Sequence, residues 1–174
     1  MYSASISPMI ISIGDLASIR EKHKNQKIAF CAGIFDLTHA GHVLFFEDCK
    51  KYGDVLVVMV GSDFTIQHYK GDGRPILNEH LRLKMIDSLK PVDYTLLDLN
   101  TSDVDFLAVI PEVVFKLLKP DLYIVNDDAF DMQRRHALVK GVDTKLVILK
   151  RTCPPEFENI STTKIIEKIK SLDK

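Results

Sequence analysis

Ten consecutive residues carry the densest chemistry in the 174-residue chain: Gly33-Ile34-Phe35-Asp36-Leu37-Thr38-His39-Ala40-Gly41-His42. Gly33 and Gly41 let the backbone approach a ligand closely. A helix beginning near Gly41 would point free N–H groups and its positive dipole end at an anion. His39 and His42 add neutral or cationic donors at the same place. Such donors stabilise the negative charge that builds on phosphorus during attack, which is most of what phosphoryl-type transfer asks of a protein. The segment therefore reads as a triphosphate site. Zinc binding is the competing use of two histidines, but no third ligand at metal-site spacing stands nearby.

Three further segments could act with it. Lys70-Gly71-Asp72-Gly73-Arg74-Pro75 is a basic, glycine-rich stretch that is either a loop closing over phosphates or a solvated turn. Asn126-Asp127-Asp128-Ala129-Phe130 places two carboxylates side by side, suited to Mg²⁺, although Asp128 could equally cap a helix. Arg151-Thr152 precedes Ile160-Ser161-Thr162-Thr163-Lys164-Ile165, where hydroxyls and free N–H groups at a helix start suit an anion. Residues 153–159 separate the two halves.

These segments need a frame, and the apolar pattern supplies one. Runs at 27–31, 54–60, 94–97, 122–125 and 145–149 are rich in Val, Ile, Leu or aromatics and bounded by Gly, Pro, Asp or Asn, as buried strands are. Helices are expected at about 15–24, 41–52, 78–90, 103–118, 131–140 and 161–172, with Pro111 kinking the fourth or opening a second helix. Strands alternating with helices imply right-handed crossovers, hence a doubly wound α/β domain with a five-stranded parallel sheet. Ligands then bind beyond the carboxyl ends of the strands, where all four segments fall. A single domain over 1–174 is expected, with a helical extension at 1–26 and a core at 27–170.

Composition removes several classes. At 46% hydrophobic and 27% charged, the chain can build a core; a net charge of -1 argues against coating nucleic acid or an acidic membrane. Without a signal peptide or an apolar run of membrane length, a cytoplasmic protein is expected. Cys31, Cys49 and Cys153 are too widely spaced for a zinc cluster or a disulfide framework.

GIFDLTHAGH, followed by FFEDCKKYGDVLVV, closely resembles the cytidylyltransferase-like nucleotidyltransferases, whose signature is G-x-F-D-x-x-H-x-G-H at the end of the first strand. The resemblance runs from about Ile28 to Ile169 and is strongest to glycerol-3-phosphate cytidylyltransferases and the nucleotidyltransferase domain of ADP-heptose synthases. It implies a Rossmann-like fold, a homodimer, and transfer of a nucleotidyl group from ATP or CTP, with Mg²⁺, to a phosphorylated sugar or polyol with release of pyrophosphate. His39, His42 and Lys70 would be catalytic. Gly33, Ile34, Phe35, Gly41, Arg82, Arg151, Ser161 and Thr162 would hold the nucleotide, and Asp36, Asp127 and Asp128 the acceptor or Mg²⁺. The chain departs from the family pattern at His80, where an acidic residue usually stands, at Asn126, usually glycine, and in the 153–159 insertion. Neither a structural metal nor a nucleic-acid partner is expected. Alternatives are an FAD synthetase-like or choline- or ethanolamine-phosphate cytidylyltransferase-like enzyme, or a nucleotide-binding module without catalysis.

Overall fold

The computed structural model describes residues 10–71, 73–98, 110–158 and 160–172. The strands are β1 (Ile10–Ile11), β2 (Ile28–Gly33), β3 (Val55–Val60), β4 (Tyr94–Leu97), β5 (Leu122–Asn126) and β6 (Lys145–Leu149). They form one parallel sheet in the order β1-β4-β3-β2-β5-β6. All five expected strands are present, and a sixth joins them. β1 pairs Ile10 with Thr95 and Ile11 with Leu96 along the edge of β4, and two residues are too few for a period to register in sequence. The 1–26 segment, expected as helical, thus also contributes an edge strand.

The central strands are apolar because both of their faces are covered. Every residue of β3, VLVVMV, is buried. Successive side chains alternate between two cores. Phe30, Val57, Met59, Tyr123 and Val125 pack on one face with Leu16 and Ile19 of α1 (Leu16–Lys22) and with Met132 and Leu138 of α5 (Met132–Leu138). Cys31, Leu56 and Val58 pack on the other with Phe45, Phe46 and Cys49 of α2 (Ala40–Lys50) and Leu83 and Ile86 of α4 (Glu79–Asp87). α2 and α5 therefore lie on opposite faces. The strand order reverses at β2, whose neighbours are β3 and β5, and this switch point opens the crevice that holds the site.

Two expectations change here. The segment after β3 is helical, α3 (Asp63–Lys70), started by Ser62 accepting the Thr65 N–H at 3.2 Å. Lys70 is consequently the last residue of a helix rather than part of a loop. Of the helix expected at 103–118, residues 103–109 lie outside those described; Ile110–Phe115 is π-helical, with Pro111 in its first turn, and Lys119 bonds back to the Val114 carbonyl at 3.2 Å. The last helix is α6 (Thr162–Leu172). Among the described residues no helix is long and apolar enough to cross a membrane.

The β2 and β3 ends are held in step, Gly61 N–H donating to the Gly33 carbonyl at 2.9 Å. At Gly33 an added Cβ would lie 2.7 Å from the ring of Phe35, which is buried and held at φ 52°. Gly33→Ala is expected to lower unfolding stability by about 1–3 kcal/mol, the usual scale of overpacking. Urea denaturation measures this, and an unchanged midpoint would mean that the Phe35 ring yields freely.

Candidate active site

His39 is the N-cap of α2, in extended conformation, and its Nδ1 accepts the Gly41 N–H at 3.1 Å. A neutral ring used in this way carries its proton on Nε2, free to donate. Gly41 permits the arrangement, since a Cβ there would sit 3.0 Å from the His39 ring. His42, one turn on, stacks on His39 with ring centroids 3.9 Å apart, and Phe35 meets His42 edge-on at 5.5 Å. Burial, then repulsion from His39 and Arg151, pushes the His42 pKa down to about 3, against a smaller upward pull from Asp36. Burial and Arg151 lower His39 as well. Both imidazoles are thus neutral donors at pH 7. His42 Nδ1 is buried with no hydrogen-bond partner among the described residues.

The turn before α2 is tied down by Asp36, which is 2% exposed. Its carboxylate accepts from the N–H groups of Leu37 at 3.1 Å, Ile76 at 2.9 Å and Leu77 at 3.0 Å, with Arg74 at 3.9 Å. Its backbone carbonyl accepts the Thr162 hydroxyl at 2.8 Å. One residue thereby joins the start of α2, the basic segment and the start of α6, where Ser161 Oγ accepts the Lys164 N–H at 3.3 Å.

A cleft of about 480 Å³ lies over this junction. Every residue expected at the site lines it except Arg82 and Asp127. Arg82 is wholly buried and donates to the carbonyls of Leu77, Ile34 and Gly61 and to Asp63 Oδ1, at 2.7–2.9 Å. With four donors engaged it clamps the ends of β2 and β3. Asp127 is exposed, and its N–H joins β5 to β6 through the Leu149 carbonyl. Asp128 reaches the cleft but pairs with Arg151 at 2.7 Å; the helix cap is Asp131, which accepts the Arg134 N–H at 3.1 Å. No group of three or more His, Cys, Asp or Glu side chains able to hold a metal occurs among the described residues.

Several lining residues had no role assigned from sequence, among them Tyr69, Phe130 and Arg135. Phe130 and Tyr69 stand 5.5 Å apart, ring to ring, and remain 50% and 38% exposed. Residues 153–158 of the insertion run beside α2, where the Thr152 hydroxyl bonds to Asp48 and a cavity of about 90 Å³ lies between Phe157, Arg151 and Leu44.

The model of the family described as cytidylyltransferase-like matches residues 30–168, spanning both halves of this cleft. The chain belongs to the cytidylyltransferase-like family. Among curated relatives, the bifunctional protein HldE of Helicobacter acinonychis is 37% identical over 94% of this chain and 32% of its own length. HldE of Desulfatibacillum aliphaticivorans is 32% identical over 98% of this chain and again 32% of its own. The chain thus spans about a third of the length of the curated relatives it matches. A solved lipopolysaccharide core biosynthesis protein from Thermoplasma volcanium GSS1 is 29% identical, with a TM-score of 0.60, over 74% of this chain and 99% of that one. Pantoate-beta-alanine ligase from Francisella tularensis, at 19% identity, TM-score 0.58 and coverage of 95% and 78%, shares the fold.

Two outcomes follow from the geometry of this cytidylyltransferase-like site. In the unfolded chain His42 protonates near its ordinary value of 6.5, but in the folded chain only near 3. Between these values the unfolded state binds more protons, so His42's contribution is full above about pH 6.5 and is lost as pH falls. His42→Asn should make the acid limb of stability against pH shallower by up to one proton, about 1.4 kcal/mol per pH unit. Superimposable slopes for the two proteins would contradict the neutral, buried imidazole. Arg82→Met should cost about 3 kcal/mol by leaving Asp63 and three carbonyls without their donor; a melting temperature within a degree of wild type would argue against the clamp.

Proposed function

We propose that the chain transfers a nucleotidyl group from ATP or CTP to a phosphorylated sugar, releasing pyrophosphate. The observation that carries the reading is the stacked, neutral His39–His42 pair at the start of α2, facing a cleft shared with the start of α6. Two helix N-termini and the cations Lys70, Arg74 and Arg151 suit a triphosphate, whose charges would also draw the histidines toward protonation. An oxygen of the acceptor's phosphate attacks the α-phosphorus, the bond from that phosphorus to the bridging oxygen breaks, and pyrophosphate leaves. A phosphate monoester is largely ionised at pH 7, so no strong general base is needed and donors suffice. His39 and His42 stabilise the charge that accumulates on the α-phosphoryl oxygens. Lys70 and the Ser161 end of α6 hold the departing phosphates.

The description of the Thermoplasma relative as a lipopolysaccharide core biosynthesis protein favours a sugar as acceptor over choline phosphate or flavin mononucleotide. The polar groups of Asn126 and Asp128 at the cleft wall suit sugar hydroxyls, and sites of that kind reject analogues lacking one hydroxyl strongly.

The test is pyrophosphate release from ATP and CTP with sugar phosphates, polyol phosphates, choline phosphate and flavin mononucleotide. Turnover with a sugar phosphate is expected; nucleotide binding without turnover of any acceptor would favour a binding module. His42→Ala should keep the fold and lower kcat by about 10² to 10⁴, as loss of a transition-state donor does. A folded variant retaining half its activity would remove His42 from the mechanism. Ser161→Ala should weaken nucleotide binding and leave acceptor binding nearly unchanged, and separate titrations read each; equal loss of both would contradict the division.

A further inference from the structure

Two arginines are buried among the described residues, and they differ in one respect. Arg82 is paired with Asp63, whereas Arg135, 4% exposed, has no carboxylate within ion-pair distance among the described residues. Arg135 Nε donates to the Phe130 carbonyl at 2.9 Å and one terminal nitrogen donates to the Tyr123 hydroxyl. Burial pushes the Tyr123 pKa up to about 12, so that hydroxyl brings no negative charge at neutral pH. The guanidinium also lies over the rings of Phe130 and Tyr123, 5.4 and 5.9 Å from their centroids. Rings and carbonyl fix its plane on two sides, and the side chain lines the large cleft. A fixed, buried cation with donors remaining and no counter-ion is a receptor waiting for an anion, and a guanidinium fork fits a phosphate with two hydrogen bonds.

Its position says which anion. The histidine pair and the start of α2 belong to one face of the sheet, and the Ile160 carbonyl brings the α6 start beside Gly41 there. Arg135 belongs to α5 and packs on Tyr123, on the other face. In-line displacement puts the attacking and leaving oxygens on opposite sides of the α-phosphorus. We propose that Arg135 seats the phosphate of the acceptor, a phosphomonoester dianion, across the cleft from the nucleotide's pyrophosphate portion. The assignment rests on the nucleotidyl-transfer reading for the identity of the anion, and on the uncompensated charge for its existence. The charged group thus orients the attacking oxygen, while Lys70, Arg151 and the helix ends hold the leaving group.

The experiment titrates inorganic phosphate, by calorimetry, into wild type, Arg135→Gln and Arg135→Lys, each first saturated with Mg²⁺ and a non-hydrolysable analogue of ATP or CTP. Wild type should retain a phosphate site with the nucleotide bound. Arg135→Gln should bind phosphate at least tenfold more weakly, with nucleotide affinity within twofold, and Arg135→Lys, which keeps the charge and loses the fork, should fall between. Because Arg135 has no carboxylate partner to abandon among the described residues, the melting temperature of Arg135→Gln should match wild type or exceed it. Equal phosphate binding by wild type and Arg135→Gln overturns the proposal, as does a parallel loss of nucleotide and phosphate. If Arg135→Gln fails to fold, Arg135→Lys decides alone, and wild-type phosphate affinity in it overturns the proposal. If neither nucleotide analogue binds wild type, the functional reading fails by itself, and the same phosphate titrations on the nucleotide-free proteins still decide whether Arg135 is an anion seat.

Discussion

The site depends on the burial of one carboxylate. Asp36 is almost without solvent, and an ionised side chain in that position must find donors from the protein. It finds them in the backbone of Leu37 and, some forty residues further along the chain, of Ile76 and Leu77. Meeting that demand draws the segment after α3 onto the turn between β2 and α2, and the Thr162 bond to the Asp36 carbonyl draws α6 to the same place. The turn itself is unfavourable, with Phe35 and Leu37 at φ 52° and 46°, a conformation that costs non-glycine residues about 1 kcal/mol or more each. It persists because Asp36 between them and Arg82 beneath them leave no alternative. Arg82 holds the carbonyls of Ile34 and Gly61, the first residues beyond β2 and β3.

What this framework presents is a set of donors kept neutral or uncompensated until substrate arrives. Burial and Arg151 hold both histidines below the ordinary imidazole value, and His42, which also feels His39, lies furthest down. Arg135 has no carboxylate partner among the described residues. Such groups need little reorganisation when negative charge appears, which is the condition under which hydrogen-bond donors accelerate phosphoryl-type chemistry most. Two buried or half-buried carboxylates serve the architecture: Asp36 anchors the turn and Asp63 partners Arg82.

The fold was legible where apolar period and length were both sufficient. β3 and β4 read directly, as did α2, α4 and α6 to within a few residues. β1 was hidden by its two-residue length, and α3 by a mixed sequence, DFTIQHYK, with too few apolar positions to mark a stripe. The residue types of the site were legible, since glycine, histidine and hydroxyl spacing follow from close approach and helix-end chemistry. Their division of labour was not. Arg82 and Arg135 both look like surface arginines of short helices, and only three-dimensional partners separate the one that clamps two strand ends from the one that faces the cleft. Asp36 is similar: the family resemblance assigned it to acceptor or Mg²⁺, and sequence alone gave no sign that its side chain bonds to backbone brought in by folding.

The central claim is a direct displacement in a cleft of fixed donors, with no covalent nucleotidyl-enzyme. The buried, unpartnered Nδ1 of His42 makes a histidine nucleophile the chemically distinct alternative. Stereochemistry at the α-phosphorus separates the two most directly. With a nucleoside triphosphate carrying a chiral α-thiophosphate, a single in-line attack by the acceptor predicts inversion of configuration in the sugar-linked product. Retention, the mark of two successive displacements through an enzyme-bound nucleotide, would contradict it.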